Sequence, residues 1–227
     1  MNTPTARHDD FFHHVARLML ADEPRLTLLG QLPDAPAHIA NRVGTTRSSL
    51  WNMQLTLPLL AMRDGIHTAA ELGLGSVRDV REMVTETSLR TNPLYASVEP
   101  LSRVADVSAP LLVVDQTHAF LAGPDGTRHE ATIWETTDPG LVAHACQVFL
   151  TTWEGSRPIT EVTDRPLLPP RRLQVALHLA DGATDRDIAH SLRISQRTVS
   201  TEIRAVIDWL GARNRAHAVA MLVGADQ

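Results

Sequence analysis

Apolar side chains recur at helical spacing near both ends of the first 154 residues and at strand spacing between them. Phe12, Val15, Leu18 and Met19 share one side of a predicted helix over His8–Leu29, and Ala37–Ser49 reads as a second, polar helix. Leu141, Ala145, Val148, Phe149 and Thr152 form a stripe along a third, over Asp138–Trp153, which Asp138-Pro139 opens as a cap and first-turn pair. Trp51–Leu57, Val77–Val84 and Val104–Val107 read as short strands. Leu111–Val114, followed after a polar break by Phe120 and Leu121, reads as a buried hairpin, and Ala131–Trp134 extends the sheet. The pattern predicts an α/β domain over residues 1–154, a mixed sheet with flanking helices.

Gly155–Pro170 holds four prolines in sixteen residues, which block regular helix and place a linker at 155–167. Beyond it the pattern is helical throughout, predicting an all-α domain of four helices over 168–227. Leu173, Ala176, Leu177 and Ala180 mark the inner face of the first helix, which Asp181-Gly182 ends. Thr184 caps a short second helix with Asp187 at its third position and Ile188, Ala189 and Leu192 inward. A turn at Arg193-Ile194 leads to Ser195, the cap of a third helix with Val199, Ile203, Val206 and Leu210 inward and Trp209 assigned to the core. Its opposite face carries Gln196, Arg197, Ser200, Thr201 and Arg204. A short helix, a tight turn and a longer helix with an Arg-bearing outer face have the geometry of a helix-turn-helix that enters the major groove.

Composition narrows the chemistry. The 227 residues suit two domains, and 43% hydrophobic with 21% charged residues is enough to build cores. All 21 basic residues are Arg and none is Lys, which excludes Schiff-base chemistry and the phosphate loop ending in Gly-Lys-Ser/Thr. The lone Cys146 cannot form an internal disulfide and reads as a small buried hydrophobe. The eleven His are scattered, with no two on one helical face beside a carboxylate, so neither a metal nor a cofactor is expected. Met1–Asp10 lacks the pattern of a signal peptide and no apolar run approaches a membrane span, so a cytoplasmic protein without membrane contact is expected. The net charge of −5 hides an asymmetry: Pro166–Gln227 carries eight Arg against six acids, +2, and the remainder −7.

The C-terminal segment closely resembles the LuxR/NarL-type DNA-binding domain from about Leu168 to Leu222. The matching residues are Leu168, Arg171 and Val175, the Ala180-Asp181-Gly182 turn, Ile188-Ala189, Leu192, Ile194-Ser195, Thr198-Val199, Leu210-Gly211, Arg213-Asn214-Arg215 and Ala218-Val219. The resemblance implies a regulator that binds an inverted repeat of double-stranded DNA as a homodimer. The third helix would lie in the major groove, the closing helix Asn214–Val223 would supply a dimer contact, and RNA polymerase is a further partner. Arg197 and Arg204 are the expected DNA contacts, with Gln196, Ser200 and Thr201 beside them. Arg193, Arg213 and Arg215 are expected at phosphates or in structural contacts. Thr184 joins the site as the second helix's cap, while Ser195 and Thr198 serve either as a cap alone or also as phosphate ligands. Two departures stand out. Where the family reads Thr-Val-Lys-x-His, this chain has Thr198-Val199-Ser200-Thr201-Glu202, and the acidic pair of the first helix is replaced by Arg172 and Gln174. Glu202 either accepts from a cytosine amino group, changing sequence preference, or repels phosphate.

The first domain does not read as a phosphate receiver: Leu111–Asp115 comes too late in the chain, ends in one acid, and no Lys follows. From about Ala37 to Glu154 the order of elements is similar to the phospholipase-D-like domain of TrmB-type and actinobacterial LuxR-type regulators. That implies a non-catalytic domain that dimerises, with sensing of a ligand or partner left open. Phospholipase-D enzymes use His-x-Lys, which cannot be assembled without lysine. Only His118, three residues from Asp115, would serve a phosphodiesterase alternative, and its bland reading is a hairpin histidine bonded to a nearby carboxylate or backbone group. A protein-interaction adaptor with a degenerate helix-turn-helix is the other alternative, motivated by Ser200 and Glu202. The Arg-, Ala- and Leu-rich, lysine-free composition suits a high-GC, actinobacterial genome.

Overall fold

The computed structural model describes residues 4–34, 37, 39, 48–57, 59 and 77–224, and the chain divides into two compact units. The first comprises residues 1–55, 63–85 and 103–157; the second comprises 56–62, 86–102 and 158–227.

In the first unit, α1 (Pro4–Leu20) is followed by strands β1 (Thr27–Gln31), β2 (Ser49–Gln54) and β3 (Asp79–Val84). After β4 (Arg103–Val104) come β5 (Leu111–Val114), β6 (His118–Ala122), β7 (Thr132–Thr136) and α4 (Pro139–Gly155), with β8 (Arg157–Pro158) at the end. The sheet has eight strands in the order β1-β7-β6-β5-β2-β3-β4-β8. It is mixed: β2–β3 and β3–β4 pair in parallel, whereas β2–β5, β5–β6, β6–β7 and β1–β7 are antiparallel. The expected mixed α/β architecture is therefore present. The first helix stops well short of Leu29. Asp22 adopts a left-handed φ of 51°, and the Asp22 and Glu23 N–H groups close back on the Met19 and Leu18 carbonyls, a Schellman ending. Thr27–Gln31 then pair with β7 as an edge strand, with a break in register between Leu28 and Gly30. The expected polar helix at Ala37–Ser49 falls almost wholly outside the described residues, and Ser49 itself opens β2.

Strand alternation sorts the side chains into two layers. Trp51, Met53, Met83, Val113, Leu121 and Trp134 join Phe11, Val15 and Met19 of α1 and Leu141, Ala145, Val148 and Phe149 of α4 in the main core. Each large side chain buried there contributes about 1.5–3 kcal/mol. Val114, Phe120 and Ile133, of alternate parity, form a smaller cluster. Asp138 caps α4 by accepting from the Leu141 N–H at 2.9 Å, with Pro139 in the first turn, as expected. Trp51 stacks on Phe149 at 5.4 Å, and its indole N–H donates to Asp79, which also accepts from Arg81 Nε. These contacts hold α4 against the β2–β3 pair.

In the second unit, short helices α2 (Glu86–Thr91) and α3 (Tyr95–Val98) lie in sequence between β3 and β4. Next in the same unit come α5 (Ile159–Val162), α6 (Pro170–Ala180), α7 (Asp185–Leu192), α8 (Gln196–Leu210) and α9 (Arg215–Leu222). The proline-rich stretch thus includes one helical turn, α5, which Pro158 precedes without interrupting it. The Ile159 N–H donates to the Ser102 carbonyl and the Leu168 N–H to Ser97 Oγ, each at 3.0 Å. On α6 the buried face is Val175, Ala176 and Leu179, one step away from the expected Leu173, Ala176, Leu177 and Ala180, of which only Ala176 is fully buried. Packing against α8 selects that stripe.

Candidate nucleic-acid interface

Three local devices build the reading surface. At the start of α7, Asp187 N–H donates to Thr184 Oγ1, and the Thr184 N–H and hydroxyl return hydrogen bonds to Asp187 Oδ2 at 3.1 and 2.6 Å. This is a complete capping box, and the Thr184 bonds hold the Asp187 carboxyl below its ordinary range. At its end, Arg193 takes a left-handed φ of 53° and turns the chain within two residues to Ser195, whose Oγ caps α8 by accepting from Thr198 N–H at 3.1 Å. The Ser195 and Thr198 hydroxyls lie 2.8 Å apart, so both are engaged in the cap. Gly211, at φ 68°, ends α8 in the conformation glycine adopts without a steric cost.

Helix α8 divides as expected. Val199, Ile203, Val206 and Leu210 are buried; Gln196, Arg197, Ser200, Thr201 and Arg204 lie on the exposed side. Trp209 departs from the expected core assignment. It is half-buried, its indole N–H donates to the Pro166 carbonyl at 2.8 Å, and Arg165 lies over its ring. An indole with a wet polar edge binds a backbone carbonyl more favourably than it fills an apolar core.

The exposed cations behave differently from one another. Arg193, Arg197, Arg204 and Arg213 are exposed and, among the described residues, make no ion pair. Arg215 is half-buried: Nη1 donates to Asp185 Oδ1 at 2.5 Å and Nη2 to the Ala183 carbonyl at 2.6 Å. The Ser200 hydroxyl lies 2.9 Å from Asp185 Oδ2 and 3.1 Å from the Gln196 carbonyl. Burial pushes the Asp185 carboxyl up, but the hydrogen bonds from Arg215 and Ser200 outweigh it and hold the group below its ordinary range. Glu202 turns to α6, where Arg172 Nε donates to it at 2.9 Å. Thr201 bonds back to the Arg197 carbonyl and leaves the outer face free. Among the described residues of α8, the polar groups that present unengaged ends outward are therefore Gln196, Arg197 and Arg204, and Arg193 and Arg213 are exposed in the loops before and after the helix.

In sequence, Arg172 and Glu202 stand out only separately, as departures from the family pattern, and Asp185 does not stand out. The signal for the first pair was present: two positions, thirty residues apart, with signs reversed from the family pattern. Asp185 gave no signal of its own.

In the first unit, His118 Nδ1 lies 2.8 Å from Glu135 Oε1, a buried carboxylate on β7, as its bland reading expected. Asp115 accepts from Ser48 N–H, Ser48 Oγ and Ser49 N–H. Burial raises the Cys146 thiol above its ordinary range, against a role as nucleophile. Among the described residues no His, Cys, Asp and Glu side chains cluster as a metal site, and no helix is long and apolar enough to cross a membrane.

A short capped helix, a left-handed turn and a longer capped helix with an outward cationic face define a helix-turn-helix. Residues 166–222 match the family model of bacterial regulatory proteins, luxR family, so this segment is a LuxR-family domain. No curated protein matches the chain in sequence. Among solved structures the chain is similar to TrmBL2, an archaeal chromatin protein whose structure shows a novel mode of DNA binding. The identity is 16% and the TM-score 0.46, over 68% of this chain and 62% of that one, so the chain spans under two thirds of TrmBL2. It is also similar to NucT from Helicobacter pylori (13%, TM-score 0.44, 59% of this chain and 98% of that one). A third is Nuc from Salmonella typhimurium, a phospholipase D family member (14%, TM-score 0.42, 60% and 97%).

Proposed function

We propose that the protein is a DNA-binding transcriptional regulator of the cytoplasm. Two copies place α8 in successive major grooves of an inverted repeat, and the first unit dimerises the chain and receives a signal. The observation that carries this reading is the row Gln196, Arg197 and Arg204. These exposed side chains lie on one face of a helix capped at both ends, and neither arginine is neutralised by a described carboxylate. Arg197 and Arg204 contact DNA, Gln196 reads a base edge, and Arg193 and Arg213 lie at phosphates. Thr184 and Ser195 serve as the caps of α7 and α8, with Thr198 engaged in the second cap through its N–H and hydroxyl. No enzymatic step is assigned to the chain.

Ser200 and Glu202 are the residues that would favour a protein-interaction adaptor. The pairing of Glu202 with Arg172 counts against it, because a carboxylate already matched within the domain repels phosphate less than a free one.

The test is selection of genomic DNA fragments by full-length protein at near-physiological salt, with Arg197→Ala/Arg204→Ala alongside. Enrichment of a near-palindromic sequence by the wild type and its loss in the variant is expected. The variant should also show a salt dependence shallower by about one unit of slope for each phosphate contact removed. Equal, sequence-blind recovery by both proteins, or none, would overturn the reading.

A further inference from the structure

Three helices of the C-terminal domain meet at one carboxylate. Asp185 is the first residue of α7, Arg215 the first residue of α9, and Ser200 lies one turn inside α8. Asp185 Oδ1 accepts from Arg215, Asp185 Oδ2 from Ser200, and the other arm of Arg215 reaches the Ala183 carbonyl. Arg215 therefore grips the chain on both sides of Thr184, the residue that caps α7. The helix N-terminus adds its own partial positive charge beneath the Asp185 carboxylate, so three separate sources hold the charge in place.

We propose that Asp185 is the positioning residue of the reading surface, fixing α8 against α7 through Ser200 with Arg215 as its anchor, and that Arg215 makes no contact with DNA. This rests on the reading of the domain as a DNA binder. A guanidinium with two arms committed to a carboxylate and a carbonyl has little left to offer a phosphate. Arg197 and Arg204, with no such partners described, keep all of theirs. The Ser200 link is the consequence of a small hydroxyl standing where the family carries a lysine: it reaches the neighbouring helix instead of the nucleic acid. Affinity then depends on Asp185 and Arg215 through the angle of α8, which affects recognition of sequence more than attraction to phosphate.

The experiment measures binding of full-length wild type, Asp185→Asn, Arg215→Ala, Arg215→Lys, the Asp185→Asn/Arg215→Ala double variant and Arg204→Ala across a salt series. The probes are the duplex enriched by the wild type and a scrambled duplex, and circular dichroism checks that each variant is folded. Asp185→Asn and Arg215→Ala should each lose about tenfold in affinity for the enriched duplex, with little change on the scrambled one, and the double variant should be no worse than either. Arg215→Lys keeps the charge without the fork and should lose as Arg215→Ala does. The salt slope should be unchanged in all of them and should fall by about one in Arg204→Ala. A slope reduced in Arg215→Ala, additive losses in the double variant, or undiminished discrimination between the duplexes would overturn the proposal while leaving the regulator reading intact. Wild-type protein that selects no duplex would overturn both.

Discussion

Arg172 on the first helix of the C-terminal domain donates through Nε to Glu202 on the third, at 2.9 Å, across thirty residues of sequence. Each is a departure from the family pattern, and together they are one exchange of sign: a base stands where an acid is usual and an acid stands in the recognition helix. With Glu202 only 17% exposed, the pair is better shielded from water than an ordinary surface contact.

Arg172→Ala and Glu202→Ala should each lower stability by up to about 1 kcal/mol. The reciprocal exchange Arg172→Glu/Glu202→Arg should recover most of the loss caused by either charge reversal alone. Urea midpoints of the wild type, the two charge reversals and their combination check this, and equal, additive losses would refute the pairing. Because Glu202 is committed to Arg172, Glu202→Gln should leave the selected DNA sequence unchanged.

The cap at Ser195 is open to a similar test. Ser195→Ala removes the acceptor for Thr198 N–H and should cost about 1 kcal/mol, whereas Ser195→Asp should keep most of that stability. Amide exchange at Thr198 should quicken in the alanine variant only. Unchanged protection there would mean that packing of Val199 and Ile203 holds the helix end without the cap.

The β5–β6 turn holds two non-glycine residues at positive φ, Asp115 at 50° and Gln116 at 56°, closed by Thr117 N–H to the Val114 carbonyl. Asp115 is secured there by its three hydrogen bonds from Ser48 and Ser49, whereas the Gln116 side chain makes no hydrogen bond among the described residues. Gln116→Gly should therefore stabilise the first unit by roughly 1 kcal/mol, and Asp115→Gly should destabilise it. Thermal unfolding of the two variants gives the sign directly.

Acid should weaken the helix junction at Asp185. Burial raises its carboxyl, yet the Arg215 and Ser200 hydrogen bonds set the folded value below the unfolded one. A depressed group contributes stability that is present above its unfolded pKa, about 4, and is lost as the pH falls through the folded value. Asp185→Asn should be less stable than the wild type at neutral pH, and the difference should shrink below about pH 4. A difference independent of pH would show that the carboxylate charge contributes nothing to the junction.

Much of the architecture was legible because it obeys short-range rules. The stripe Leu141, Ala145, Val148, Phe149 and Thr152 is buried as its spacing required, and Asp138, Thr184 and Ser195 cap the helices they precede. The hairpin of β5 and β6 and the strands at β2, β3 and β7 also followed from alternation. The sequence pattern predicts a first helix longer than the one observed because Leu26, Leu28 and Leu29 continue an apolar pattern that a left-handed Asp22 interrupts, and an aspartate does not announce that conformation as a glycine would.

Composition alone excludes lysine chemistry, and local sequence specifies the helices of the C-terminal domain and the outward row of Gln196, Arg197 and Arg204. These depend on side chains within about four residues of one another, the reach of a helical turn or a cap. Tertiary structure alone decided that β2 lies between β3 and β5, and that residues 86–102 share a compact unit with the C-terminal helices. It alone decided that Arg172 finds Glu202 and that Arg215 serves Asp185. Those outcomes depend on which distant surfaces exclude water together, and a carboxylate or guanidinium takes its role from the partner that packing brings within about 3 Å.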